Sequence, residues 1–355
     1  MKKKIITLVT LLIFFTLGYI FIANHYFNLR SFFNNKQLQT VKNYIFPYKL
    51  ISQQKKEILG LEKILDQISF SKFETDYKES LKDIRIKNLE KTKLSSGHLF
   101  EKKLLLDGFY SGVHSVFPGS GYIDFHDDVL FLLSSRGMLS YNENLDNDTN
   151  FIQIKNNINE FISLEQFNKN KWFSLKDLLI DQNKIFISYT EEIENDCWNT
   201  SIINGEINYE EINFKKLFSS DECVSQKNNI DKEFNAHQSG GRIINFDNNH
   251  ILLTTGDYRT RQLAQNKGSI NGKILKINIL DSSFEIISMG HRNPQGLYFD
   301  RENKFILETE HGPMGGDEIN LINIEDINEG NTLNFGWAIS SAGEHYGGKI
   351  KDNKN

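Results

Sequence analysis

Leu297-Tyr-Phe-Asp-Arg-Glu-Asn-Lys-Phe-Ile-Leu-Glu-Thr309 reads as a strand, an Asp/Asn turn and a second strand that ends in threonine. The same order occurs three times before it, as Tyr122-Ile-Asp-Phe-His-Asp-Asp-Val-Leu-Phe-Leu-Leu-Ser-Ser135, Leu178-Leu-Ile-Asp-Gln-Asn-Lys-Ile-Phe-Ile-Ser-Tyr-Thr190 and Ile243-Ile-Asn-Phe-Asp-Asn-Asn-His-Ile-Leu-Leu-Thr-Thr255. The turn aspartates Asp128, Asp181, Asp247 and Asp300 lie 53, 66 and 53 residues apart. A period near 50 in β-type sequence marks a β-propeller, whose blades bury their faces only against neighbouring blades. Unrelated hairpins in a sandwich have no reason to repeat in this way. We therefore expect an all-β propeller over residues 104–355, with about five repeats if Ile319 to Trp337 counts as a partial one. The polar stretch from Gly347 to Asn355 offers no closing strand, so we expect the propeller to be incomplete at the C-terminus and the chain to derive from a longer protein.

Composition agrees with a large folded body. A chain of 355 residues, 39% hydrophobic, can bury a sizeable core, and 27 Phe and 13 Tyr against 4 Pro suit β-rich packing. The net charge of -5 supplies no basic field, which argues against a nucleic-acid partner.

Upstream, Lys2, Lys3 and Lys4 precede an apolar run of 19 residues, Ile5 to Ala23. That is about the length of a bilayer-crossing helix, and lysines in front keep that end cytoplasmic. No small-x-small cleavage site follows. We expect residues 1–23 to be a single-pass signal anchor in the inner membrane, with the rest exported to the periplasm. Residues 24–103 are Lys-rich, and Ile58, Leu61, Leu65 and Ile68 recur at helical spacing, so this segment reads as a helical stalk.

The chemistry gathers in loops. His291, Arg292, Asn293 and Gln295 place an imidazole, a guanidinium and two amides around Pro294, which stiffens the backbone of a polar pocket. Glu310, Asp317 and Glu318 bracket Gly312, Pro313, Gly315 and Gly316, and carboxylates beside exposed carbonyls suit a hard cation such as Ca²⁺. An acidic solvated turn is the plainer meaning of the Asp-Glu pair, and an ion pair between blades the plainer meaning of Arg292. His237, in a Gly-crowded turn directly before a strand, has the pKa for general-base work, or else serves only to bond its turn with Asp257.

Six motifs in order make the chain resemble the soluble glucose/sorbosone dehydrogenase family, the PQQ-dependent aldose sugar dehydrogenases. They are Ala236-His-Gln-Ser-Gly-Gly-Arg-Ile243, Thr255-Gly-Asp257, Asn271-Gly-Lys-Ile-Leu-Lys-Ile277, Gly290-His-Arg-Asn-Pro-Gln-Gly-Leu297, Glu310-His-Gly-Pro-Met-Gly-Gly-Asp-Glu-Ile-Asn320 and Asn334-Phe-Gly-Trp337. The resemblance is dense from Asn235 to Gly348, thin from Leu104 to Asn235 and absent before that. It implies a six-bladed propeller that oxidises an aldose at C1 to the lactone and passes electrons to an external acceptor. His237 would then be the catalytic base, oriented by Asp257. Arg292 and Asn293, with Gln295 beside them, would contact PQQ, and Gly312, Pro313, Asp317 and Glu318 would hold Ca²⁺. Phe335 stands where the family usually has Tyr, and Ala338 where Pro is usual. The family's later basic contacts to PQQ have no counterpart up to Asn355. A non-catalytic, carbohydrate- or protein-binding propeller is the alternative. Cys197 and Cys223, the only cysteines, either close a disulfide in an exported domain or remain free thiols.

Overall fold

The computed structural model describes residues 13–20, 51–61, 72, 76, 78–105, 121–145, 150–163, 165–166 and 174–343. The chain divides into two compact units, Met1–Asp66 and Gln67–Asn355. In the first, residues 13–20 and 51–61 are helical, with nearly all of their side chains exposed.

In the second unit four antiparallel sheets follow one another along the chain. The first is built from Gly121–His126, Val129–Ser134, Leu139–Asn142 and Ile152–Gln153. The second contains Leu175–Asp181, Lys184–Glu194, Cys197–Glu206 and Lys215–Phe218. Gly240–Asp247, His250–Thr255, Lys273–Asn278 and Phe284–Met289 form the third, joined by Leu333–Asn334 running parallel to its last strand. Pro294–Asp300, Phe305–Glu310 and Glu318–Asn323 form the fourth. Each of the four sequence repeats is the first hairpin of one sheet, closed at His126↔Val129, Asp181↔Lys184, Asp247↔His250 and Asp300↔Phe305. Asp127, Gln182 and Lys304 take positive φ in these turns, the backbone that tight hairpin turns require.

The first strands of successive sheets stand side by side, as the inner strands of propeller blades do. Hydrogen bonds tie neighbouring sheets together, two of them from first strand to first strand. The Ile180 N–H donates to Asp124 Oδ2 at 2.6 Å, the Ile243 N–H to Asp177 Oδ2 at 2.8 Å, and Thr254 Oγ1 to the Pro294 carbonyl at 2.8 Å.

Second strands such as Val129–Ser134 and His250–Thr255 are buried almost throughout because both of their faces are covered. In His250–Thr255, Ile251 and Leu253 pack with Phe186, Ile202 and Phe218 of the second sheet, while Leu252 packs with Leu297 and Ile306 of the fourth. A third apolar layer, built on Phe131, Leu133, Ile185 and Ile187, joins the first sheet to the second. Burying one such side chain is worth roughly 1.5–3 kcal/mol, so each interface between sheets outweighs the hairpin bonds. The Cys197–Cys223 disulfide ties a sheet-two strand to the loop that leads to the third sheet.

Several sequence expectations are corrected. Among the described residues no helix is long and apolar enough to cross a membrane. Helix is described only over 13–20 of the apolar run, and the single-pass, inner-membrane placement is overturned. Residues 62–71, with two of the stalk's four spacing positions, lie outside the described residues. The last part of the expected stalk is a hairpin, Ile86–Lys93 paired with Leu99–Leu105. Ile86 and Leu105 pack with Leu130, Leu132 and Met138; alternate apolar residues that can cover a sheet override the charge-rich, helix-like composition. The boundary at residue 104 thus falls inside a hairpin. Nor is Ile319 to Trp337 a fifth repeat, since its strands complete the fourth and third sheets. Four sheets of blade type are present among the described residues.

Candidate active site

Two chain segments build the site, the turn before the third sheet and the turn before the fourth. Asn235 organises the first: its Oδ1 accepts the His237 N–H at 2.9 Å and its carbonyl the Gln238 N–H at 3.0 Å. The turn is then stitched to Tyr258, whose carbonyl accepts the Asn235 N–H at 3.1 Å and whose N–H donates to the Gln238 carbonyl at 2.9 Å. Gly256 lies so close beneath that a Cβ there would stand 2.1 Å from the Gln238 carbonyl oxygen.

The second turn is locked by a buried carboxylate. Glu310 Oε2 accepts the N–H groups of Arg292 and Asn293, the latter at 3.3 Å. The turns meet where the Asp257 N–H donates to the Arg292 carbonyl at 3.0 Å and the Gly240 N–H to Asn293 Oδ1 at 3.2 Å.

Gln238 is the hub of the side-chain network. With its amide turned so that both ends find complementary partners, it donates to Asp257 Oδ1 at 3.0 Å and accepts from Arg259 Nε at 3.2 Å and Arg292 Nη2 at 2.6 Å. Asp257, wholly buried, also accepts the Arg259 N–H at 2.8 Å and Trp337 Nε1–H at 2.7 Å. Burial pushes its carboxyl up to about 6, against the Trp337 bond, the Arg259 N–H and the charges of Arg292 and Arg261. Arg292 lies over the Trp337 ring, 5.5 Å from its centroid, and its Nη1 donates to the carbonyls of His311 and Gly312 at 2.7 Å each.

His237 stands at the solvent side of this network. The protein packed around the ring lowers its pKa to about 4, helped by the charges of Lys176, His311, Arg259 and Arg292. Burial likewise lowers Lys176, to about 7. The imidazole is therefore neutral in the physiological range and able to accept a proton.

His237, Asp257, Arg292 and Asn293, separated in sequence, lie near one another where the two turns meet. Gln295 is exposed and linked to Asn293 Oδ1 at 3.5 Å, outside the hub. Each of the four expected calcium ligands has a partner within the protein, the Pro313 carbonyl accepting the Gly316 N–H at 2.8 Å. The Gly312 carbonyl is engaged by Arg292, and the exposed Asp317 carboxylate accepts the Gly312 N–H at 3.0 Å. Glu318 Oε2 faces Asn320 Nδ2 at 3.4 Å. With a guanidinium already on the Gly312 carbonyl, the loop as arranged does not fit Ca²⁺. Sequence reasoning missed Gln238, Arg259 and Trp337 as site residues. Gln238 and Trp337 lay inside quoted motifs, but Arg259 carried no signal.

A family model described as Glucose / Sorbosone dehydrogenase matches residues 175–355. An aldose sugar dehydrogenase of Escherichia coli (strain K12) is 30% identical over 129 residues, covering 32% of this chain and 33% of the relative. Quinoprotein glucose dehydrogenase B of Acinetobacter calcoaceticus is 34% identical over 132 residues, covering 28% of this chain and 26% of the relative. The chain thus spans about a third or less of the length of these curated relatives. Among solved structures, the PQQ-bound form of aldose sugar dehydrogenase from Streptomyces coelicolor aligns with a TM-score of 0.48 at 16% identity, over 76% of this chain and 70% of that one.

Proposed function

This chain belongs to the Glucose / Sorbosone dehydrogenase family, and from that premise we propose that its site oxidises an aldose at C1 to the lactone with PQQ as acceptor. The observation that carries this reading is the convergence of Arg259 and Arg292 on one amide oxygen, Gln238 Oε1, beside the buried Asp257 carboxylate. Two guanidiniums directed at one point, with Lys176 in electrostatic reach, suit an anionic quinone carrying carboxylates. Arg292 and Asn293 would face its quinone oxygens, with Lys176 and Arg259 beside them. When bound, PQQ supplies the acceptor for the hydride of the sugar C1.

The chain's own part is proton handling and charge placement. His237, neutral near pH 7, takes the proton of the C1 hydroxyl as the C–H bond breaks. Arg292 holds a fixed positive charge where negative charge develops, and its three hydrogen bonds and the Trp337 face keep it from swinging away. Asp257 acts through Gln238 and Trp337 as a positioning residue. An external acceptor would take up the two electrons, and His237 would release its proton to solvent, which restores the neutral imidazole.

The rival is a non-catalytic sugar- or protein-binding propeller, and the bonds of Arg292 Nη1 to two backbone carbonyls are what favour it. Dye reduction by the PQQ-reconstituted chain over a panel of aldoses separates the two. Sugar-dependent reduction, lost in His237→Gln by roughly 10²- to 10⁴-fold, supports the dehydrogenase. Sugar binding without turnover supports the module.

A further inference from the structure

Behind the Arg292–Asn293 turn lies a second cluster that the proposed oxidation does not use. Glu308 and Glu310, two residues apart on one strand, point to the same face, with side chains 0% and 2% exposed. His291, fully buried, brings Nδ1 to 3.2 Å from Glu310 Oε1 and 3.7 Å from Glu308 Oε2. Asn320, paired opposite Glu308 in the sheet, donates from Nδ2 to Glu308 at 2.9 Å, Glu310 at 3.2 Å and Glu318 at 3.4 Å.

The donors do not suffice. Glu310 accepts two backbone N–H groups, but Glu308 has only the Asn320 amide, whose two hydrogens face three carboxylates, and among the described residues no lysine or arginine side chain pairs with either glutamate. Glu308 Oε1 is buried without a hydrogen-bond partner, which costs roughly 1–3 kcal/mol or more when left so. Such a cost persists in a native fold when something absent from the polypeptide meets it.

We propose that His291 Nδ1, Glu308 and Glu310 bind one divalent cation of intermediate hardness, such as Mn²⁺, Co²⁺ or Zn²⁺. Their ligand atoms lie within 4.8 Å of one another. Metal bonds of ~2.1 Å place such atoms about 3–4 Å apart, and the two imidazole–carboxylate separations, 3.2 and 3.7 Å, already fall in that range. The imidazole selects against Ca²⁺ and Mg²⁺, which take oxygen ligands. Ser288 Oγ, 2.8 Å from His291 Nε2, is placed to accept an N–H there, which leaves Nδ1 for the metal. Because Glu310 also holds the N–H groups of Arg292 and Asn293, the ion would brace the turn that carries the site's guanidinium. None of this depends on PQQ binding.

The test uses the full chain, stripped with chelator, reloaded with Mn²⁺ without PQQ, and examined by metal analysis and by electron-spin-echo modulation for a directly bound nitrogen. The expected result is one tightly held Mn²⁺ with nitrogen coupling, weakened at least tenfold in Glu308→Gln and unchanged in Asp317→Asn and in excess Ca²⁺. Should Glu308→Gln fail to fold, the nitrogen signal of the native chain and the Asp317→Asn result still decide. No retained ion, an all-oxygen ion, equal binding by folded Glu308→Gln, or loss in Asp317→Asn would each overturn the proposal.

Discussion

Arg292 illustrates how much of the site rests on one side-chain geometry. Its planar fork reaches two carbonyls and the Gln238 amide while its face covers Trp337, a combination that a lysine ammonium does not reproduce. Arg292→Lys, though it keeps the charge, should raise the PQQ concentration for half-saturation by roughly tenfold, about 1.4 kcal/mol; quinone titration of the two proteins checks this. Asp257 and His237 shift in opposite directions, with opposite consequences for stability. A carboxyl raised to about 6 stabilises the fold below its ordinary value near 4, and that contribution is lost as pH climbs through about 6. An imidazole lowered to about 4 contributes fully above its ordinary value near 6.5, and that is lost as pH falls through about 4. The slopes offset one another in the native chain. Asp257→Asn removes the first, so its urea midpoint should rise from pH 4.5 to 6.5 more steeply than that of the native protein. Equal slopes would mean that Asp257 does not titrate there.

At the scale of elements, the turns rather than the strands place the chemistry. The 235–240 turn sits on Gly256 with no room for a side chain, so Gly256→Ala should push His237 and Gln238 off Arg292. We expect a loss of about 1–3 kcal/mol in stability, as for overpacking, and a larger fractional loss of sugar oxidation; an unchanged melting temperature would contradict this packing. The Asp/Asn turns were legible in the sequence because short hairpin loops, three of two residues and one of four, narrow the choice of residue. The network around Gln238 was not, since it depends on where two turns from neighbouring sheets meet. Sequence spacing also misassigned the hairpin Ile86–Leu105 to a stalk, and Leu333–Asn334 to a repeat of its own, because strand pairing across long separations leaves little local trace. The calcium loop was read from composition, but its carbonyl and carboxylate had already found partners in Arg292 and the Gly312 N–H.

Across the whole molecule, stability comes from apolar layers shared by adjoining sheets, with one covalent tie. Cys197 and Cys223, 26 residues apart in sequence, close a loop whose crosslink is worth about 3–4 kcal/mol in the chain-entropy description. Cys197→Ala with Cys223→Ala should lower the denaturant midpoint accordingly; no change would assign the bond no share in stability. The period of the turn aspartates revealed the succession of sheets, because each blade solves the same packing problem. It could not reveal how far the succession runs. Dehydrogenation requires His237 and Arg292 to act together on one sugar. The most direct measurement is rapid mixing of the PQQ-loaded full chain with an aldose carrying deuterium or hydrogen at C1, following the cofactor's absorbance. The expected result is saturable, sugar-dependent reduction, slowed several-fold by deuterium and abolished in His237→Gln. Reduction at the native rate in His237→Gln, or none with any aldose in the native chain, would contradict it.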